Sequence, residues 1–126
     1  MAASSAPQLT AHFETDDSGK PVFVNRGGRK HYNLVFEVEN MPENVYAGTF
    51  ELHESYYDPV RTLRPDRGKL ELKTTSYGDY DLKVRLRTPD GEILVADNVV
   101  NALKRARETM PDNHDIDDAI AEIKKY

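Results

Sequence analysis

The chain has 126 residues, no cysteine and a formal net charge of −5. That length suits a single domain able to bury about two-thirds of its unfolded surface. The missing thiols exclude a disulfide framework, thiolate metal sites and a cysteine nucleophile, and the acidic balance argues against general attraction to nucleic acid.

No apolar run approaches the length of a bilayer span, and the first residues lack the basic and apolar regions of a secretion signal, so the expected location is the cytoplasm. The charges are unevenly spread. Residues 32–59 hold six acids and no Lys or Arg, whereas residues 60–87 hold eight Lys or Arg against four acids. Neighbouring strands with opposite charges on their solvent faces attract across the ladder, which accounts for the segregation; the rival reading is a basic patch for an anionic partner.

Residues 1–9, rich in Ala and Ser, read as a loose tail. Thr10–Glu14 and Lys20–Asn25 read as short strands around Asp16-Asp17-Ser18-Gly19, a hairpin turn signal. Arg26-Gly27-Gly28-Arg29-Lys30 is too short and wrongly spaced for a phosphate loop and reads as a basic turn. Leu34–Glu39 alternates, with Leu34, Phe36 and Val38 inward, and Asn40-Met41-Pro42-Glu43 breaks it.

Val45–His53 is the next strand, with Phe50 and Leu52 on the inward face. It ends in His53-Glu54-Ser55-Tyr56-Tyr57, an imidazole, a hydroxyl and two phenols before the Asp58-Pro59 turn. Pro59 and Pro65 bracket a loop carrying Arg61 and Arg64, with Arg67 just beyond. Lys69–Lys73 alternates again, and Ser76-Tyr77-Gly78-Asp79-Tyr80 forms a second polar-aromatic loop. Tyr80–Arg87 is the clearest strand, Pro89-Asp90-Gly91 a turn and Glu92–Val95 a returning strand.

Strands at this spacing predict a mainly β protein, an immunoglobulin-like antiparallel β-sandwich over residues 10–96. Residues 97–126 form a C-terminal helical extension of two short helices. Asp97 is the expected cap of the first, with Val99, Leu103, Ala106 and Met110 as its stripe. Asp115 is the expected cap of the second, with Ile116, Ala119, Ile120 and Ile123. Each stripe packs on the sandwich or on the other helix, or docks a second copy or a helical partner.

Phe-x-Leu-His-Glu-Ser-Tyr, closing the stretch Val45–Tyr56, resembles the signature strand and loop of YEATS domains, Phe-x-Leu-His-x-Ser-Phe. Tyr77-Gly78-Asp79-Tyr80 resembles that family's second loop, and Leu34–Asn40 its early strand. The similarity spans residues 30–90 and implies a reader of acylated lysine on a protein or peptide. It assigns Ser55 to the acyl amide, His53 to orienting the Ser55 hydroxyl, Tyr56 and Tyr77 to stacking on the flat acyl group, and the backbone near Gly78 to the amide oxygen. Four departures stand out: Tyr56 for Phe, Ser76 for Gly, Leu34 for Trp, and Glu39-Asn40 for Arg-Gly. They make the chain look like the prokaryotic branch of the family, found in signalling and defence proteins.

Ser55 near His53 lacks the elbow and the third group of a catalytic triad, so no catalytic residue is assigned. The cluster Asp112, His114, Asp115, Asp117 and Asp118 lacks calcium-loop spacing, and acids belong at a helix start in any case, so no metal or cofactor is expected. The competing expectation is an assembly adaptor that works through the helical tail or the charged strand faces and binds no acyl-lysine.

Overall fold

The computed structural model describes residues 7–54, 56 and 58–125. Eight strands and two helices follow in chain order: β1 (Gln8–Phe13), β2 (Phe23–Arg26), β3 (Arg29–Glu39), β4 (Ala47–Glu51), β5 (Val60–Leu63), β6 (Glu71–Ser76), β7 (Asp81–Thr88), β8 (Gly91–Asn98), α1 (Val99–Arg107) and α2 (His114–Lys125). All strand pairs are antiparallel.

β3 is the spine of one sheet. Along one side it pairs with β1 over its C-terminal half and with β2 over its N-terminal end; along the other it pairs with β6. The second sheet has the order β5-β4-β7-β8. Inward side chains of both sheets, among them Leu9, Leu34, Phe36, Phe50, Leu82, Val84 and Leu86, form one cluster. Phe36 and Phe50 are fully buried, a contribution of about 1.5–3 kcal/mol for each side chain. The sheets approach closely at Gly48, where a Cβ would overlap Leu70 Cδ2. The result is the expected immunoglobulin-like sandwich, followed by two helices.

Several boundaries differ from expectation for identifiable reasons. Residues 1–6 of the expected tail lie outside the described part, while Gln8 and Leu9 pair with Glu39 and Val38. The turn at residues 16–19 forms, with Asp16 Oδ1 accepting from the Ser18 and Lys20 amides. Its flanks meet only at the Thr15–Pro21 bridge, because β1 and β2 each find a longer partner in β3. The basic turn at Gly27-Gly28 links β2 to β3, both glycines having φ above zero as a tight hairpin requires. β5 was expected to be loop, and its four residues pair with β4. The opposite-charge expectation has a concrete instance: Arg85 on β7 bonds Glu51 on β4 at 2.7 Å.

The helical tail is part of the core. α1 packs on β1 and α2 on α1, burying Val99, Val100, Ala102 and Leu103 together with Ile116, Ala119, Ile120 and Ile123. Of the two expected stripes, Val99, Leu103 and all four α2 positions are thus buried within the chain, while Ala106 and Met110 stay half-buried.

Both caps lie one or two residues from the expected positions. The β7–β8 ladder runs on to Asn98, whose side chain accepts from the Asn101 amide. Asp97 instead pairs with Arg105 at 2.7 Å, and Arg105 also donates to the Leu9 carbonyl, tying α1 to β1. Asn113 rather than Asp115 caps α2, accepting from the Asp115 and Ile116 amides. Arg107 bonds Asp117 at 2.8 Å and the Pro111 carbonyl at 3.0 Å, which fixes the turn between the helices. Among the described residues no group of three His, Asp or Glu side chains could hold a metal ion, and no helix is long and apolar enough to cross a membrane.

Candidate functional site

At one end of the sandwich three segments converge. The loop after β4 runs from Leu52 to Pro59 and is closed by the Leu52 amide bonding the Pro59 carbonyl at 2.7 Å. The loop after β6, residues 77–80, crosses from one sheet to the other. The β2–β3 hairpin supplies Arg26 and His31. Between them lies a cleft of about 390 Å³, lined by His53 and Tyr56 from the first loop and by Tyr77, Gly78 and Tyr80 from the second.

The register dictates part of this convergence. Tyr32 on β3 lies opposite Ser76 on β6, so His31 and Tyr77 are neighbours across the sheet end. Their rings lie 5.0 Å apart, tilted by 49°, and the Arg29 guanidinium sits 5.0 Å from the Tyr77 ring centroid. Tyr77 is thus half-buried between an imidazole and a cation rather than a bare loop-tip aromatic.

Tyr56 is anchored at its far end. Its hydroxyl donates to the Thr75 carbonyl at 2.6 Å and accepts from the Tyr80 hydroxyl at 3.1 Å. The two rings meet edge to face at 5.6 Å. The hydroxyl that distinguishes Tyr56 from the Phe of the motif therefore fastens the first loop to β6, and the ring forms a fixed wall. Burial pushes the Tyr56 phenol above its ordinary range, against the lowering effect of its hydrogen bonds and of the Arg61 charge. Burial also raises Tyr80, and the adjoining Tyr56 adds to the effect.

Ser76, a second of the four departures from the motif, is buried; its hydroxyl donates to the Gly78 carbonyl at 2.7 Å and lies 3.4 Å from the Gly78 amide. This local clasp sets the loop path and engages the Gly78 amide within the loop itself. Asp79 serves the fold, because its Oδ1 accepts from the Val100 amide at the start of α1.

His53, Tyr56, Tyr77 and Gly78 thus border a single cleft. His53 is exposed, its ring 5.9 Å from that of Tyr80. Ser55, which the resemblance assigns to the acyl amide, lies outside the described residues. Other lining residues were not among the expected site residues. Tyr80, the first residue of the expected strand Tyr80–Arg87, contributes to the cleft as well as to the packing beneath it. Arg26 and His31 belong to a segment read only as a turn and a strand start, and Arg61 to what read as a loop. Pairing across β3 is what brings the hairpin residues here, and local patterning does not encode it.

The architecture is a two-layer sandwich with an aromatic cleft between the loops at one end. The chain belongs to the prokaryotic YEATS domain family, whose model matches residues 32–97. The match covers both cleft loops and stops before the helices.

Among solved structures, the fold is similar to the crystal structure of the yeast AF-9 homolog protein Yaf9, with a TM-score of 0.50 and 16% identity, covering 75% of this chain and 67% of that chain. Two further structures are of the Yaf9 YEATS domain. One recognises an H3K122suc peptide (TM-score 0.49, 16% identity, 74% and 67% covered) and one is bound to H3K27ac (0.49, 18%, 75% and 71%). No curated protein matches the chain.

Proposed function

We propose that this domain is a non-catalytic binding module that takes an acylated lysine, or a similarly flat group, on a protein or peptide. The observation that carries the proposal is the convergence of Tyr56, Tyr77 and His53 on one cleft from two separate loops. An amide is neutral, flat and polarisable, so it suits aromatic walls with a donor and an acceptor nearby. Tyr56 is already immobilised by Thr75 and Tyr80, so ligand binding incurs little ordering cost on that wall. In this reading Tyr77 supplies the stacking face, and His53 with the residue-55 hydroxyl supplies the polar contacts.

The test is titration of one lysine peptide in acylated and unmodified forms against the wild type and Tyr77→Ala. The acylated form is expected to bind more tightly than the unmodified one, and Tyr77→Ala is expected to weaken it about tenfold or more. Equal binding of both forms by both proteins would remove the reader role and leave the fold untouched.

A further inference from the structure

The cleft adjoins a second, basic groove on the open side of the sandwich. Among the described residues β5 pairs only with β4 and β6 only with β3, so each sheet ends there in a free edge. A groove of about 490 Å³ lies between them, lined by Leu63 of β5, Lys73 of β6 and the segment joining the two strands. Arg61 of the cleft lies two positions from Leu63 on β5, and Thr75 of the cleft two positions from Lys73 on β6. Strand side chains alternate, so the members of each pair share a face and the two depressions meet.

The charge of the groove is uncompensated. Its walls carry Arg64, Arg67, Lys69 and Lys73 against Asp66 and Glu71. Among the described residues none of these six forms an ion pair. Elsewhere arginines are paired: Arg85 with Glu51, Arg105 with Asp97, Arg107 with Asp117. The turn between the strands fixes part of the basic wall. Asp66 and Lys69 exchange backbone hydrogen bonds at 2.7 and 2.9 Å, and Arg67 sits at the tip with a φ of 53°. Tight turns ordinarily place Asn, Asp or Gly in that left-handed conformation, and here a cation occupies it.

Charge and shape together favour one kind of occupant. Free strand edges offer backbone donors and acceptors to an extended peptide, and the cations along them favour carboxylates in it. A nucleic acid fits less well. The chain carries a net charge of −5, and Asp66 and Glu71 interrupt the cationic run that a phosphate backbone would follow.

We propose that the groove takes an acidic segment of the same peptide whose modified lysine enters the cleft. The proposal rests on the acyl-lysine reading above and adds to it the sequence context of the ligand. Lys73 and Lys69 stand two and six positions from Thr75. An extended peptide advances at the same rate as a strand, about 3.3 Å per residue, so carboxylates about two to six residues from the lysine, on one flank, meet these cations. Two contacts on one chain reinforce each other, so the acidic flank raises affinity without a new contact in the cleft.

The experiment titrates acetyl-lysine peptides bearing a run of glutamates on the N-terminal flank, the same run on the C-terminal flank, or glutamines instead. The proteins are the wild type and a combined variant, Arg64→Gln, Arg67→Gln, Lys69→Gln and Lys73→Gln, with folding checked by circular dichroism. One acidic flank is expected to raise affinity about tenfold over the glutamine peptide at about 0.05 M salt, the joint effect of several exposed ion pairs. The gain should fade towards about 1 M salt, where the screening length is about 3 Å. In the combined variant it should fall to within about twofold, while binding of the glutamine peptide holds.

Equal affinity for acidic and glutamine flanks, or a gain that survives the substitutions, overturns the role of the groove and leaves the reader role standing. A short DNA duplex that binds more tightly than the acidic peptide, and loses that binding in the combined variant, overturns the choice of partner. If no acetylated peptide binds, the reader role falls, and the acidic peptide with unmodified lysine decides the groove alone. Saturable shifts of the Leu70 and Leu72 amide resonances that vanish in the combined variant support it, and their absence from the wild type overturns it.

Discussion

At the scale of single residues, the phenol of Tyr56 joins fold and site. Its hydroxyl satisfies the Thr75 carbonyl and receives the Tyr80 hydroxyl, so Tyr56→Phe leaves both partners short of a bond in a half-buried place. The expected cost is about 1–2 kcal/mol of stability, read as a lower urea midpoint with an unchanged slope. The same pair predicts alkaline behaviour. Burial raises both phenols above the ordinary value of 10.0. A group that ionises less readily when folded gives its full stabilisation below the unfolded value and loses it as pH rises towards the folded one. Stability should therefore be flat through neutrality and fall progressively above about pH 10, and Tyr56→Phe should make that fall shallower. Unfolding free energies measured from pH 8 upwards check both statements.

At the scale of elements, the helix caps show how short polar side chains bind the tail to the sandwich. Asn113 caps α2 through the Asp115 and Ile116 amides, and its Nδ2 also donates to the Gly19 carbonyl at 3.0 Å. One side chain thus starts a helix and holds down the turn between β1 and β2. Asn113→Ala is expected to cost about 1–2 kcal/mol, towards the upper end for a cap because a third bond is lost, as measured by chemical unfolding. Asn113→Asp should keep the cap and lose the Gly19 contact, giving an intermediate value. Asp97 is tuned in the same way. Burial pushes its carboxyl up, but bonds from Arg105, the Asn98 amide and Asn101 outweigh this and hold it below its usual range. That contribution is complete above the ordinary carboxylate value and disappears as pH falls through the lowered one.

At the scale of the whole molecule, sandwich and helices share one core. Ile123 in α2 has no exposed surface and belongs to the same cluster as Phe36 and Phe50. Ile123→Ala is expected to destabilise by about 2–5 kcal/mol. The far-ultraviolet helix signal and the tyrosine fluorescence signal should still unfold together in a single transition. Separate transitions would mean that the helices form an independent unit.

The two-layer β architecture, the inward alternation of Leu34, Phe36 and Val38, and the stripe of α2 were legible in the sequence, because period and burial coincide there; of the expected α1 stripe only Val99 and Leu103 are buried, with Val100 and Ala102 taking the other inward places and Met110 falling past the helix end. The candidate cleft was half legible. Two loop motifs with unusual aromatic and polar content marked its first two sides. Its third side was not legible: it depends on β2 and β1 sharing one flank of β3, a long-range pairing that leaves no periodic trace. The exact cap residues were also missed, since Asp97 and Asn98 are both competent and only the length of the β7–β8 ladder decides between them.

The β2–β3 hairpin has one more implication. Beyond Tyr32, where β6 ends, residues 23–31 are braced by their own two-stranded ribbon and by a turn of two glycines. Arg26 and His31 therefore reach the cleft on a ribbon steadied from outside its own sheet, by the Tyr77 ring that His31 and Arg29 flank and by Glu122 of α2, which meets Lys30 and Tyr32. One wall of the cleft is thus fastened to the C-terminal helix.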